Sequence, residues 1–174
     1  MQSLIRRDEE ATIDMKRLSR LLPKKCRVVQ YDHLKGKKTF KDVMMGDDCV
    51  IILWNLHDRK HRTLNQAGHF FCLAREGGKP IVFSSTGMSP KRELFLTQSD
   101  PSLFERILPA NVTYNKVALQ KNKSSNTCWR YCIAFAHLVG RAKMSMAQFT
   151  RLFSPLHVGS ADGLVTLMTF LALH

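Results

Sequence analysis

The chain has 174 residues, 44% of them hydrophobic, so it is long enough for one domain with a buried core, and we treat residues 1–174 as a single domain. Lysine and arginine total 27 against 14 for aspartate and glutamate, and the net charge of +13 indicates attraction to nucleic acid or another acidic surface. Five cysteines, an odd number lying in apolar runs, argue against a disulfide framework and favour a reducing, intracellular compartment. We also expect no secretory leader and no membrane-spanning segment.

The first third of the chain predicts one helix followed by strands. Apolar spacing predicts a helix over residues 8–22, which Pro23 ends. A short strand is expected over 26–31 and a basic loop over 33–41. The continuous apolar run at 49–54 is typical of a central strand.

The segment after this strand is basic and contains His57 and His61, four residues apart. That spacing suits a metal ion on a helix, but no cysteine or glutamate nearby completes such a site, so we expect no metal. A hairpin follows, with strands over 68–75 and 80–85 joined by a turn at 76–79.

The rest of the chain predicts mostly helices. A short helix over 100–108 and a strand over 112–119 lead to a polar loop at 120–127. The next helix begins at Cys128, runs to about residue 141 and is capped by Thr127 or Asn126. Two more helices are expected over 145–153 and 161–173, so strands and helices are largely segregated, as in an α+β domain.

Cys128 is the candidate nucleophile because it stands where the polar loop meets the apolar helix, in Asn126-Thr127-Cys128-Trp129. A cysteine at a helix N-terminus lies in the field of backbone amides, which favours thiolate over thiol. Cys132, one turn later, should point into the core and is interpreted as structural. The competing interpretation of Cys128 is a buried structural cysteine.

His69 is the candidate base. It follows Gly68 and begins an apolar strand, so its ring can lie at a sheet edge beside the helix N-terminus. A lone strand histidine is more often a packing or surface residue. A cysteine and a histidine on separate elements are nevertheless what a thiol nucleophile and its base require, and the pairing with Cys128 favours catalysis.

The order of these features resembles the adenovirus-type (adenain-like) and ubiquitin-like-protein-specific cysteine proteases over about residues 49–139. The matching features are Gly68-His69 with an aromatic residue after it, a hairpin returning to Phe83-Ser84-Ser85-Thr86-Gly87, a helix, a strand, a loop with glutamine, and Asn126-Thr127-Cys128 followed by Cys132. The resemblance implies a central mixed sheet with the nucleophile helix packed on it, in a permuted papain-like arrangement. It also implies the order His, acid, Gln, Cys along the chain.

The resemblance assigns roles to residues of this chain. Cys128 would be the nucleophile, His69 the general base, and Gln120 the oxyanion donor together with the Cys128 backbone amide. Asn122, six residues before the cysteine, is the competing donor. An ordinary polar loop residue is the simplest alternative for Gln120.

Two positions depart from the family pattern. Ser84 occupies the place of the family's acid, and its hydroxyl can accept from His69 Nδ1 but cannot stabilise an imidazolium as a carboxylate does. The site is then a weaker triad, a dyad, or one that recruits another acid. Trp129 stands where the family commonly has glycine, and it can narrow the cleft or mark a protein that has lost activity.

The leading hypothesis is a viral cysteine endopeptidase that processes capsid or core precursor proteins during virion maturation. It would act as a monomer in the host nucleus or the virion, without a bound cofactor or a membrane partner. The resemblance implies DNA or a peptide as activator, since adenovirus-type enzymes use DNA, and the basic surface agrees with DNA binding. The alternatives are a deubiquitinase or ubiquitin-like-protein protease, and a catalytically inert, nucleic-acid-binding domain with a protease-like core, which Ser84 and Trp129 favour.

Overall fold

A computed structural model describes residues 15–55, 68–96, 100–121, 126–153 and 160–171. The five strands are β1 (Cys26–Gln30), β2 (Cys49–Asn55), β3 (Gly68–Glu76), β4 (Lys79–Ser84) and β5 (Thr113–Tyr114). The seven α-helices of the described part are α1 (Met15–Leu21), α2 (Phe40–Met44), α3 (Pro90–Leu96), α4 (Ser102–Ile107), α5 (Cys128–Phe135), α6 (Met146–Phe153) and α7 (Ser160–Leu171). The histidine-containing segment at 57–62 and Asn122 lie outside the described residues.

The strands form one mixed sheet in the order β1-β2-β3-β4-β5. β1 pairs parallel with β2, the β2–β3 and β3–β4 pairs are antiparallel, and β4 pairs parallel with β5. Gly77 and Gly78 form the tight turn between β3 and β4, with φ angles of +56° and +80° that favour glycine. The predicted α+β class and central mixed sheet are confirmed.

The sheet is covered on both faces, and β3 shows how the sequence alternates between them. Phe70, Cys72 and Ala74 face the core that contains α5, whereas Phe71 and Leu73 face the core that contains α2, α3 and α4. Burial on both faces explains why β2 and β3 are continuous apolar runs rather than alternating ones.

Stacked aromatic rings hold α5 on the sheet. The ring of Phe83 on β4 stacks on that of Phe135 at the end of α5, with centroids 4.7 Å apart and planes 12° from parallel. Phe149 of α6 packs edge-on against both. Burying each such ring stabilises the fold by roughly 1.5–3 kcal/mol, so the helix that begins at Cys128 is firmly placed.

Several predicted elements needed correction. The loop expected over 33–41 is partly helical, because a 3-10 turn covers Tyr31–Leu34 and a capping box between Thr39 and Asp42 starts α2. The strand expected over 112–119 pairs only at Thr113–Tyr114. Beyond it, the side chain of Asn115 replaces the ladder by bonding the backbone of Ser84.

The helix expected to run from 128 to about 141 is confirmed in extent, but it changes type. α5 ends at Phe135 and continues as a π-helix over Ala136–Arg141. Thr127 is the N-cap residue, yet its hydroxyl makes no capping bond and donates instead to Asp162 of α7 at 2.5 Å. Among the described helices, none combines the length and the apolar character that a membrane crossing requires.

Candidate active site

Cys128 is the first residue of α5, and its side chain is buried, with 7% exposure. Burial raises the pKa of its thiol to about 12, and the neighbouring Cys132 also raises it. The backbone amides of Phe70, Trp129 and Cys128 itself donate to the sulfur and act in the opposite direction. The expectation that the helix N-terminus favours thiolate is therefore wrong for this conformation, because desolvation outweighs the amide field.

His69 lies at the start of β3, next to the residue whose amide contacts the Cys128 sulfur. Its Nε2 atom is 3.0 Å from Ser84 Oγ and 3.3 Å from Glu93 Oε2. The ring packs edge-on against Phe71 at 5.0 Å. Burial lowers the pKa of the imidazole to about 4, so the ring is neutral near neutral pH. Both of these polar contacts involve Nε2 rather than Nδ1.

Glu93 is a site residue that the sequence analysis missed. It lies on α3, and its Oε1 accepts from the hydroxyls of Ser84, at 3.0 Å, and of Thr86. Burial raises the pKa of this carboxyl to about 7, while the bond from Ser84 lowers it. One signal was available, since Glu93 is the only acidic residue between Glu76 and Asp100.

Ser84 ends β4 and contacts both partners of this arrangement. We expected its hydroxyl to meet His69 Nδ1, but it meets Nε2 beside the carboxylate of Glu93. The side chain of Asn115 fixes its backbone, accepting from Ser84 N–H at 2.8 Å and donating to Ser84 C=O at 2.7 Å. The hydroxyl therefore accompanies an acid rather than replacing it.

Gln120 is held against the end of β4. Its Oε1 accepts from Ser85 Oγ at 2.8 Å, and its backbone amide donates to Ser85 C=O at 2.9 Å. The hydroxyl of Tyr131 on α5 donates to the carbonyl of Leu119 at 3.2 Å, which ties this loop to the Cys128 helix. Gln120 thus lies between β5 and α5 in the chain and is hydrogen-bonded to the residue that follows β4.

Trp129 packs inward with Arg130. Trp129 is 4% exposed, and the Arg130 guanidinium lies over its ring at 4.1 Å from the centroid. Arg130 also donates to Thr169 of α7 at 2.7 Å. The large residue after Cys128 therefore contributes to the packing of α5 against α7.

No protein-family model matches this sequence, and no curated protein matches it. Among solved structures, ChlaDub1 from Chlamydia trachomatis is similar, with 16% sequence identity and a TM-score of 0.42 over 98% of this chain and 75% of that chain. A likeness of this size does not assign a family. The geometry of the site is therefore the basis for interpreting its function. Within the described ranges, no group of three or more histidine, cysteine or acidic side chains is placed to hold a metal ion.

Proposed function

We propose that this protein is a cysteine peptidase in which Cys128 is the nucleophile and His69 the general base. The observation that supports it most is the contact of His69 Nε2 with Ser84 and Glu93. His69 precedes Phe70 in the chain, and the backbone amide of Phe70 contacts the Cys128 sulfur. A nucleophile, a base and an acid that orients the base are the groups that acyl transfer needs.

The carboxylate of Glu93 selects the tautomer of His69. When Glu93 is ionised, it accepts the Nε2 proton, and Nδ1 then carries the lone pair that can take the proton of the Cys128 thiol. When Glu93 is protonated, it donates to Nε2, and the imidazole proton moves to Nδ1, where it blocks this transfer. Glu93 is therefore a positioning residue that acts through His69.

The proposed reaction uses these groups in turn. The Cys128 sulfur, on losing its proton to His69, attacks the carbonyl carbon of the scissile bond. The Cys128 backbone amide and the Gln120 side-chain amide stabilise the oxyanion. The imidazolium then gives its proton to the leaving amine, and a thioester on Cys128 remains. Water, deprotonated by His69, hydrolyses that thioester and restores the thiol.

Two substrate classes agree with this chemistry. The first is a protein precursor cleaved in the chain interior during virion maturation, and the second is a conjugate of ubiquitin or a ubiquitin-like protein, cleaved after its C-terminus. Both place an extended peptide across the N-terminus of α5. We propose the peptidase activity itself and let the assay decide between the substrates.

The assay compares Cys128→Ala with Cys132→Ala, a matched loss of a thiol on the next turn of the same helix. Both variants and the parent are given ubiquitin and ubiquitin-like proteins carrying a C-terminal fluorogenic amide, and candidate viral precursors. We expect activity to vanish with Cys128→Ala and to persist with Cys132→Ala. The sulfur of Cys132 donates to the Phe70 carbonyl in the core, so we assign it a structural role. Normal cleavage by the Cys128→Ala protein would disprove the proposal.

A second candidate is an inert domain that binds nucleic acid. Two observations favour it: the buried cysteine and histidine are both neutral at rest, and exposed cations cluster on and after α1, at Lys16, Arg17, Arg20, Lys24 and Lys25. DNA affinity that falls steeply with salt, with no turnover of any substrate, would support this function. Charge reversal of Lys24 and Lys25 should then reduce the salt slope.

A further inference from the structure

The five cysteines form one row of contacts that ends on the helix beginning at Cys128. The sulfur of Cys49 exchanges hydrogen bonds with those of Cys26 and Cys72, and Cys72 in turn contacts Cys132. Cys132 lies one turn from Cys128 on α5. All five are free thiols. The row begins at the half-exposed Cys26 and ends at the candidate nucleophile.

The first two members of the row have the geometry of a disulfide pair. Cys26 and Cys49 are direct partners in the parallel pairing of β1 with β2. Neighbouring strands lie about 4.8 Å apart, which falls in the range of roughly 4.4–6.8 Å between Cα atoms that a disulfide spans. Because the two residues are in register, their side chains leave the same face of the sheet.

Gly140 confirms that both side chains converge on one spot. A Cβ atom placed on Gly140 would lie 3.1 Å from Cys49 Cβ and 3.6 Å from Cys26 Sγ. The π-helical turn therefore packs directly on the pair, and the missing side chain leaves the two sulfurs room to approach each other.

We propose that Cys26 and Cys49 form a peroxide-sensitive dithiol that closes to a disulfide between β1 and β2. Cys26, the solvent-accessible member, attacks hydrogen peroxide and becomes a sulfenic acid as water leaves. The sulfur of Cys49 attacks the Cys26 sulfur, the S–S bond forms, and the second oxygen leaves as water. The two thiols lose two electrons and two protons in all, and the peroxide is reduced to two water molecules.

The electrostatics of the row agree with the second of these steps. For the first step, Cys26 must pass its proton to Cys49, because the hydrogen bond with Cys49 and burial raise the pKa of the Cys26 thiol. Hydrogen bonds from Cys26 and Cys72 lower the pKa of Cys49, so the buried partner is the one that readily supplies the attacking thiolate. The exposed thiol meets the oxidant, and the buried thiol resolves the sulfenic acid. The bond would fasten the edge strand β1 to the sheet and leave Cys128, at the other end of the row, as a thiol.

The test exposes the reduced full-length protein to excess hydrogen peroxide, traps remaining thiols with N-ethylmaleimide and measures intact mass and peptides. We expect a loss of two hydrogen atoms, one cross-linked peptide pair containing Cys26 and Cys49, and a rise in melting temperature that dithiothreitol reverses. Cys26→Ser should abolish the mass loss, whereas Cys128→Ser should keep it. This result does not depend on whether the protein is a peptidase.

Peptide mapping of the parent protein decides the question even if the Cys26→Ser variant folds poorly. Addition of oxygen to Cys128 with Cys26 and Cys49 both alkylated would overturn the proposal. A cross-link between Cys49 and Cys72 in place of the predicted one would overturn it as well, as would full alkylation of all five cysteines after oxidation.

Discussion

Replacing Glu93 with glutamine tests the site most directly. Its Oε2 lies 3.3 Å from His69 Nε2, and Coulomb's law with an effective dielectric constant of roughly 20 gives about 5 kcal/mol for a carboxylate and an imidazolium at that distance. Glutamine keeps the size and one oxygen acceptor, worth roughly 1–2 kcal/mol. We therefore expect Glu93→Gln to lose about 3 kcal/mol of transition-state stabilisation, a fall of about two orders of magnitude in kcat/KM.

The pH profile separates an acid that orients His69 from one that only packs. Burial raises the pKa of Glu93 to about 7, so kcat/KM of the parent should rise as the pH passes through that value and the carboxylate begins to hold the Nε2 proton. The rise should be absent from Glu93→Gln. Glu105→Gln, at an exposed carboxylate paired with Lys91, is the control and should leave the profile unchanged.

Fluorogenic cleavage from weakly acidic to weakly alkaline pH measures both effects. A Glu93→Gln protein within about threefold of the parent, under 1 kcal/mol, that also keeps the rise near neutrality would refute the role of Glu93.

The free energy of unfolding gives a second test of the same pair. Folding raises the pKa of Glu93 from 4.5 to about 7, so its stabilising contribution, present below pH 4.5, is lost as pH rises to about 7. Folding lowers the pKa of His69 from 6.5 to about 4, so its contribution is present above pH 6.5 and lost as pH falls. Each is worth about 3 kcal/mol, so the two largely cancel in the parent. Urea denaturation of Glu93→Gln should show stability rising by about 3 kcal/mol from pH 4 to pH 6.5, and a flat curve would contradict the assignment.

Three further predictions concern the residues around the site. Asn115→Ala removes the two hydrogen bonds to the Ser84 backbone and should lower the free energy of unfolding, measured by urea denaturation, by about 2–3 kcal/mol. A loss below about 1 kcal/mol would contradict the role of these bonds. Gly87→Ala should lower the free energy of unfolding by about 2 kcal/mol more than Gly77→Ala does. Both glycines have positive φ, but only at Gly87 would a Cβ atom lie 2.6 Å from the Ala118 backbone nitrogen. Equal losses in the two variants would contradict that contact. Alkylation of Cys128 by iodoacetamide should be slow at neutral pH and rise about tenfold per pH unit, because its thiol has a raised pKa; fast labelling in weak acid would show a resting ion pair.

The strands were predictable wherever the local pattern and the fold agree. The apolar run at 49–54 is a strand because both faces of the sheet are covered. The hairpin turn lies at Gly77 and Gly78 because both residues have positive φ, which favours glycine. α3 was missed, because Leu94 is buried while Phe95 and Leu96 are exposed, so no helical stripe of apolar residues marks it. The strand at 112–119 was overextended, because an apolar pattern does not reveal that a side-chain amide can take over the ladder.

Part of the proposed site could be named from the sequence. Cys128 and His69 were candidates because a helix start and a strand start are local features of the chain. Glu93 was not, because it reaches His69 only when α3 folds back across the end of β4, and the sequence carries no local sign of that approach. The predicted protonation state of the Cys128 thiol differs from the structure for a related reason. The position of a helix N-terminus can be predicted from the sequence, whereas the depth at which the thiol is buried cannot.

One cause accounts for the electrostatic state of the three central groups. Burial raises the pKa of Cys128 and of Glu93 and lowers that of His69, so each shift favours the neutral form. Burial therefore disfavours a resting thiolate–imidazolium pair, although backbone amides donate to the Cys128 sulfur and the Glu93 carboxyl lies beside His69. An extended peptide also cannot reach a sulfur with 7% exposure unless neighbouring residues move aside. The proposed catalysis therefore requires a conformational step in which substrate or another partner opens the N-terminus of α5 before Cys128 can attack.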